Sequence, residues 1–238
     1  VTGQLDALGT VTVDNQTLTF SQNVKTVNLT VQTASLTQAA DFEILGNVNI
    51  TSTGTLSYGA NPITIAGNII FDSAATITAN AANPLTLNGG NGQTIDLGTN
   101  TIRAVNVNKT AGTASFSTAV TTDTGSSFMV TQGTVSFGAN VIIGGMIREI
   151  ADVAGQGQTG RIDFGANSVT VLGGGIELNN GNDFVGSGTV TVGDGTTTTA
   201  ANLGGTLTES GNIQTGPLIA NLAANEILSL QAAIQVTG

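Results

Sequence analysis

One phrase recurs in this chain and restricts what it can fold into: two short runs of alternating apolar residues joined by an aromatic-Gly-Ala-Asn corner. It occurs as Gly54-Thr-Leu-Ser-Tyr-Gly-Ala-Asn-Pro-Ile-Thr-Ile-Ala-Gly67, as Gly133-Thr-Val-Ser-Phe-Gly-Ala-Asn-Val-Ile-Ile-Gly-Gly145 and as Gly160-Arg-Ile-Asp-Phe-Gly-Ala-Asn-Ser-Val-Thr-Val-Leu-Gly173. A second phrase links Ala60-Asn-Pro-Ile-Thr-Ile-Ala-Gly67 to Ala82-Asn-Pro-Leu-Thr-Leu-Asn-Gly89, 22 positions on, and the corners at Gly138 and Gly165 lie 27 apart. A period of about 20 to 27 residues belongs to solenoids, in which each unit buries its apolar face against the next.

Within a unit, Ile63, Ile65, Val169 and Val171 point one way and Thr64 and Thr170 the other, the period of a strand. Short strands are expected at Thr10 to Val13, Thr17 to Phe20, Val27 to Val31, Asn47 to Ile50, Thr76 to Thr78, Leu85 to Leu87, Val105 to Val107 and Thr189 to Val192. Gly and Asn at the bends tolerate the left-handed backbone that tight corners use. The chain has 238 residues, 39% of them hydrophobic and 4% aromatic, so Val, Ile, Leu and Ala must fill the core. β-branched residues suit a pleated surface. The expected fold is all-β, a β-solenoid of roughly ten coils making a rod about 50 Å long. The competing all-β architecture is two β-sandwich domains of about 100 residues each, which accounts less well for the repeat. The repeats are expected over residues 1–216. Residues 217–238, glycine-free from Pro217 to Val236, read as a C-terminal cap, either a final strand or a short helix, covering the open end.

Several chemistries are excluded outright. With no cysteine and no histidine there are no disulfides, thiolate or imidazole metal sites, or Ser-His and Cys-His nucleophile pairs. The formal charge is −10, and the five cations Lys25, Arg103, Lys109, Arg148 and Arg161 are scattered, which disfavours nucleic acid as a partner. No stretch approaches the roughly 20 apolar residues of a transmembrane segment. The chain starts at Val1 without a basic, apolar leader, as expected of a processed product or a fragment.

The remaining candidates each have an ordinary structural explanation. Gly89-Gly-Asn-Gly-Gln-Thr-Ile-Asp-Leu97 is similar to the Gly-rich nonapeptide of calcium-binding β-rolls, but Thr94 stands where that motif has Asp and no second copy follows, so a loop insertion is expected. Asp183 and Asp194 are the best isolated carboxylates for one hard cation such as calcium, against turn-forming Asp as the default. No other cofactor is indicated. Asp72, Asp96, Asp163 and Glu177 could meet through coil stacking, as acids do in polysaccharide-acting β-helix enzymes. Arg148-Glu-Ile-Ala-Asp152 with Arg161-Ile-Asp163 is the densest charge cluster and reads as a solvated ion-pair face. Thr17-Leu-Thr19, Thr76-Ile-Thr78 and Thr206-Leu-Thr208 have the composition of a flat threonine ladder such as ice-binding solenoids present, yet their spacing along the chain is irregular.

The Tyr/Phe-Gly-Ala-Asn corners and the Thr/Asn/Gly-rich, Cys-free background from about Gly46 to Gly205 resemble passenger regions of bacterial autotransporter and filamentous-haemagglutinin-like adhesins. The resemblance is one of style. It implies a right-handed parallel β-helix, export and display at the cell surface. Such passengers are usually longer and carry a translocator barrel. The function expected is an extracellular structural or adhesive surface protein without catalysis. The partners expected are glycans, a host or matrix surface, or further copies of the chain. A subunit that assembles head to tail or edge to edge into a filament or surface layer is the alternative, and a polysaccharide-acting enzyme the second alternative.

Overall fold

The computed structural model describes residues 5–58, 61–79, 83–149, 160–178, 183–194, 201–203, 212–222, 228–230 and 234–236. They form 28 strands wound into a parallel solenoid of about ten turns, with the right-handed β-helix architecture. Every strand pairing is parallel, and no described residue is helical. Parallel pairing with short corners excludes the hairpin-connected sandwiches.

Each coil lays down up to three strands. The first coil comprises β1 (Leu5–Asp14) and β2 (Thr17–Phe20), the second β3 (Val24–Gln32) and β4 (Ser35–Gln38). The third has β5 (Phe42–Ile44), β6 (Val48–Thr51) and β7 (Thr55–Tyr58); the fourth β8 (Ile63–Ile65), β9 (Ile69–Phe71) and β10 (Thr76–Ala79). Then come β11 (Leu85–Leu87), β12 (Gln93–Asp96) and β13 (Thr101–Ile102), followed by β14 (Val105–Phe116) with β15 (Val120–Thr122) and β16 (Phe128–Phe137) with β17 (Val141–Ile143). The next two coils are β18 (Met146–Glu149), β19 (Gly160–Gly165) and β20 (Val169–Val171), then β21 (Gly175–Leu178), β22 (Asp183–Gly186) and β23 (Val190–Val192). The stack ends with β24 (Ala201–Leu203), β25 (Asn212–Thr215) and β26 (Leu218–Ala220), then β27 (Leu228–Leu230) and β28 (Ile234–Val236).

Register is continuous along the axis. Leu5, Val24, Phe42, Ile63, Leu85, Val105, Phe128, Ile147, Ile176, Leu203 and Leu230 occupy equivalent positions on successive coils. The step varies from 18 residues between Val24 and Phe42 to 29 between Ile147 and Ile176, so corners rather than strands absorb the length differences. The segment expected to be a cap carries β26, β27 and β28, which pair with β23, β24 and β25 as further rungs.

The repeated phrase turns out to be a strand-corner-strand unit used at two different corners. The copies at Gly133 and Gly160 are stacked neighbours, with Val135 beside Ile162 and Val141 beside Val169. The copy at Gly54 instead joins β7 to β8, the third strand of one coil to the first of the next. The second phrase is a true coil repeat, with Ile63, Thr64 and Ile65 against Leu85, Thr86 and Leu87.

Inward positions form one apolar column system. All eight phenylalanines and Tyr58, the only other aromatic, are buried. Phe116, Phe128 and Phe137 form a three-ring cluster with centroids 5.4 to 5.6 Å apart, and Phe164 stacks on Phe184 at 4.7 Å.

The corner asparagines stabilise the stack by a route other than backbone freedom. Asn28 Oδ1 accepts from the Asn47 N–H at 2.8 Å, Asn47 Oδ1 from the Asn68 N–H at 2.9 Å, and Asn68 Oδ1 from the Thr94 N–H at 2.8 Å. Each side chain thereby satisfies a backbone donor at or just before the start of a strand on the following coil. Left-handed backbone at non-glycine residues is confined to Asn15, Thr33 and Ser52, stacked at one corner among the described residues. Thr33 is notable there, since a β-branched residue at φ 44° is disfavoured; its hydroxyl donates to Asp14 Oδ1 and Asn15 Oδ1, both at 2.9 Å.

Candidate functional site

The outward positions divide the solenoid into charged and uncharged surfaces. Every charged strand residue lies on the first two strands of a coil, in the large sheet that contains β1, β3, β5, β12, β14, β18, β19, β21 and β22. Along the first of these columns Asp6, Lys25, Glu43, Thr64, Thr86, Asn106, Met129, Arg148 and Glu177 succeed one another. Lys25 Nζ pairs with Glu43 at 3.0 Å and Arg148 Nε with Glu177 at 2.7 Å. Arg161 reaches Asp183 at 3.2 Å and Asp163 at 3.5 Å. These pairs are half-exposed, so their effect on stability is small.

Most acids singled out from sequence are thus occupied by local structure. Asp72 Oδ2 accepts from the Ser52 N–H at 3.0 Å, Asp96 Oδ1 from the Gly98 N–H at 2.9 Å, and Asp163 Oδ1 from the Gly165 N–H at 3.0 Å. Asp183 opens β22 beside Arg161, whereas Asp194 lies in the corner that follows β23, so the two belong to different parts of the coil. Among the described residues, no three Asp or Glu side chains converge as a cation site would require. Asp152, Thr206 and Thr208 lie outside the described residues.

Among the described residues two charged side chains, Lys109 and Glu149, face inward, and Glu149 departs from the solvated ion-pair face expected of its cluster. Glu149 is fully buried, and burial holds its carboxyl well above the ordinary range; the charge of Asp183 adds to the rise and that of Arg161 offsets part of it. Lys109 is also fully buried, and desolvation lowers the affinity of its amine for a proton. Its Nζ donates to Gln93 Oε1 at 2.9 Å and to the Asn88 carbonyl at 3.2 Å, and Gln93 Nε2 in turn donates to the Ile65 and Gly67 carbonyls at 2.9 and 2.8 Å. The Gly-rich stretch from Gly89 therefore forms the corner above an internal polar relay. Between β14 and β16 the register shifts around Asn108; Gly133 crosses this bulge at φ 95°, and a Cβ there would stand 2.8 Å from the Lys109 carbonyl oxygen. The signal for Lys109 was present in the alternation itself, because Val105, Val107 and Lys109 share one parity.

The third face of the solenoid, laid down by the last strand of each of the first ten coils, is different in kind. β2, β4, β7 and β10 form a four-stranded sheet, and β13, β15, β17, β20, β23 and β26 a six-stranded one; none of these ten strands contains a charged residue. In the first sheet the outward positions make two adjacent columns: Thr17, Ser35, Thr55 and Thr76 in one, Thr19, Thr37, Ser57 and Thr78 in the other. Leu18, Leu36, Leu56 and Ile77 alternate with them toward the core. Thr17-Leu-Thr19 and Thr76-Ile-Thr78, irregularly placed along the chain, thus stand in the same two columns, because the spacing differences fall in the corners. In the second sheet a single outward column runs Thr101, Thr121, Ile142, Thr170, Thr191 and Ile219, every member β-branched. Its isoleucines are exposed to 42% and 49%.

The chain matches no known protein-family model, no curated protein and no solved structure.

Proposed function

We propose that this chain is a rigid, non-enzymatic surface element whose outward columns make many weak contacts with an extended partner, as an extracellular structural or adhesive protein does. The observation that carries this reading is the uninterrupted register of one column from Leu5 to Leu230, ten steps spanning about 48 Å, which holds every outward side chain at a fixed axial pitch. Such a scaffold suits display better than chemistry that needs a closing site, since its strands are bonded on both sides and its core is continuous. The pairing of the acids with neighbouring arginines, lysine or backbone N–H groups favours this reading over polysaccharide cleavage.

Assembly into filaments or layers is the alternative, favoured by the exposed Ile142 and Ile219 on one neutral face. Negative-stain electron microscopy over a range of concentrations separates the two. Single rods about 50 Å long support independent display, regular fibres or sheets support assembly, and compact particles overturn both. Turnover of a polysaccharide at a rate lost on Asp163→Asn or Glu177→Gln would overturn the non-enzymatic reading.

A further inference from the structure

The geometry points to the uncharged third face, centred on the double Thr/Ser column of β2, β4, β7 and β10, as a docking surface for crystalline water. The inference rests on the rigid-display reading above and adds an occupant to it.

Symmetry supplies the first argument. Shifting the double column by one coil maps hydroxyl-bearing side chains onto hydroxyl-bearing side chains at all six positions that overlap within the array. A surface so nearly identical under translation cannot fix a unique position on an aperiodic protein. It complements a partner that is itself a lattice. The second argument is electrostatic. All five cations and the acids paired with them lie off these strands, so nothing in the columns selects an anionic or cationic surface. The third removes crystalline polysaccharide as the favoured neutral lattice. Sugar rings are gripped by exposed aromatic faces, and all nine aromatic rings of this chain are buried.

Spacing then selects among neutral lattices. Neighbouring parallel strands stand about 4.8 Å apart, and alternate residues along a strand about 6.6 Å. In tetrahedrally bonded ice, two oxygens that share a neighbour are about 4.5 Å apart, given contacts of about 2.75 Å, and the repeat along the hexagonal axis, eight-thirds of that contact, is about 7.3 Å. The mismatch accumulates to about 1 Å across the three coil steps of the array and to about 0.7 Å across its single strand step, within the reach of hydroxyl rotation. The hydroxyls of Thr55 and Thr76 already bond one another at 2.8 Å, which restricts two rotamers before docking. The Thr and Ile column of the six-stranded sheet extends the same neutral, methyl-bearing face along the axis.

The test uses the whole chain, fluorescently labelled, against a growing single ice crystal, with thermal hysteresis as the second readout. The unmodified chain is expected to coat specific crystal planes and to depress the growth temperature. Thr37→Lys, at the middle of the array, should lower that activity at least about tenfold, because it sets an ammonium and a long side chain into the contact plane. Thr86→Lys, on the charged face, should leave it unchanged, and circular dichroism melts of both variants confirm that the fold is kept. Failure of a correctly folded chain to coat or slow ice overturns the inference, as does equal activity of Thr37→Lys and the unmodified chain. Binding to powdered chitin or cellulose without binding to ice would overturn it too, while leaving the rigid-display reading in place.

Discussion

Removing the ring of Phe128 tests whether the solenoid interior is packed as tightly as its register implies. Phe128 is completely buried on β16, with Val105 and Ile147 on the adjoining coils. Its ring meets Phe116 edge-on at 5.6 Å and Phe137 at 5.4 Å. Phe→Ala in a close-packed core costs about 3–5 kcal/mol through lost transfer energy and the cavity left behind. The two edge contacts place this site in the upper part of that range, since each aromatic pair adds about 0.5–1.5 kcal/mol. Strands bonded on both sides limit collapse into the space. Phe128→Ala should therefore cost about 4–5 kcal/mol and lower the melting temperature by about 8–20 °C for a chain of this size. Urea denaturation gives the free energy, and calorimetry reports whether the coils on either side of the lesion still melt together, as nearest-neighbour coupling in a solenoid requires. A loss below about 1.5 kcal/mol with an unchanged m-value would refute close packing at this cluster.

Glu149 keeps its proton in the fold at pH values where it ionises in the unfolded chain, so its contribution to stability is complete below its ordinary value of 4.5 and is lost as pH rises toward the elevated folded value. Glu149→Gln should flatten the fall in urea stability between mildly acidic and neutral pH. Tyr58, the only tyrosine, is pushed up to about 12 chiefly by burial, with Asp123 adding to the rise and Arg103 offsetting part. Ultraviolet titration should give a phenolate transition near that value in the fold and near 10.0 in denaturant, and a folded transition at the ordinary value would refute the burial. Asn47→Ala removes the acceptor for the Asn68 N–H and should cost about 1 kcal/mol, seen as a drop of about 2–4 °C in melting temperature. Thr64 adjoins Glu43 in the charged column, so Thr64→Glu should be less stable than Thr64→Lys by about 1 kcal/mol at low salt, a gap that closes in high salt. A gap independent of salt would refute an electrostatic origin.

The parts of the fold legible in the sequence are those in which side-chain parity decides. Ile63, Thr64 and Ile65 reveal both the strand and its buried face, and their counterpart at Leu85, Thr86 and Leu87 gives one coil period directly. Less legible was which corner a phrase occupies. Gly54 to Gly67 and Gly133 to Gly145 are nearly the same string but join different strands, β7 to β8 in one and β16 to β17 in the other, and the string itself carries no residue that distinguishes the two places in the coil. The threonine array was hidden for a related reason. Thr17, Ser35, Thr55 and Thr76 are separated by 18, 20 and 21 residues, so a fixed spacing along the chain misses a column that counts coils. Lys109 and Glu149 were masked by their charge: composition places such residues outside, while the alternation around them places both inside.

Parallel in-register stacking also explains why the uniform face has to be neutral. Side chains in one column are held about 4.8 Å apart for the length of the rod, and two like charges at that distance repel by about 1 kcal/mol even at the dielectric constant of water. A column of lysines or glutamates would pay this at every step. Among the described residues, wherever both partners in register are charged their signs are opposite: Asp6 with Lys25, Lys25 with Glu43, Arg148 with Glu177 and Arg161 with Asp183. Alternation of this kind limits repulsion but gives up uniformity, because each rung then differs from the next. Hydroxyl and methyl groups carry no such penalty, and their β-branched side chains suit the strand they decorate. A solenoid that is to present a repeating pattern is therefore best served by threonine, serine and isoleucine with its charges confined to other columns, and the outward columns of the third face here have that composition.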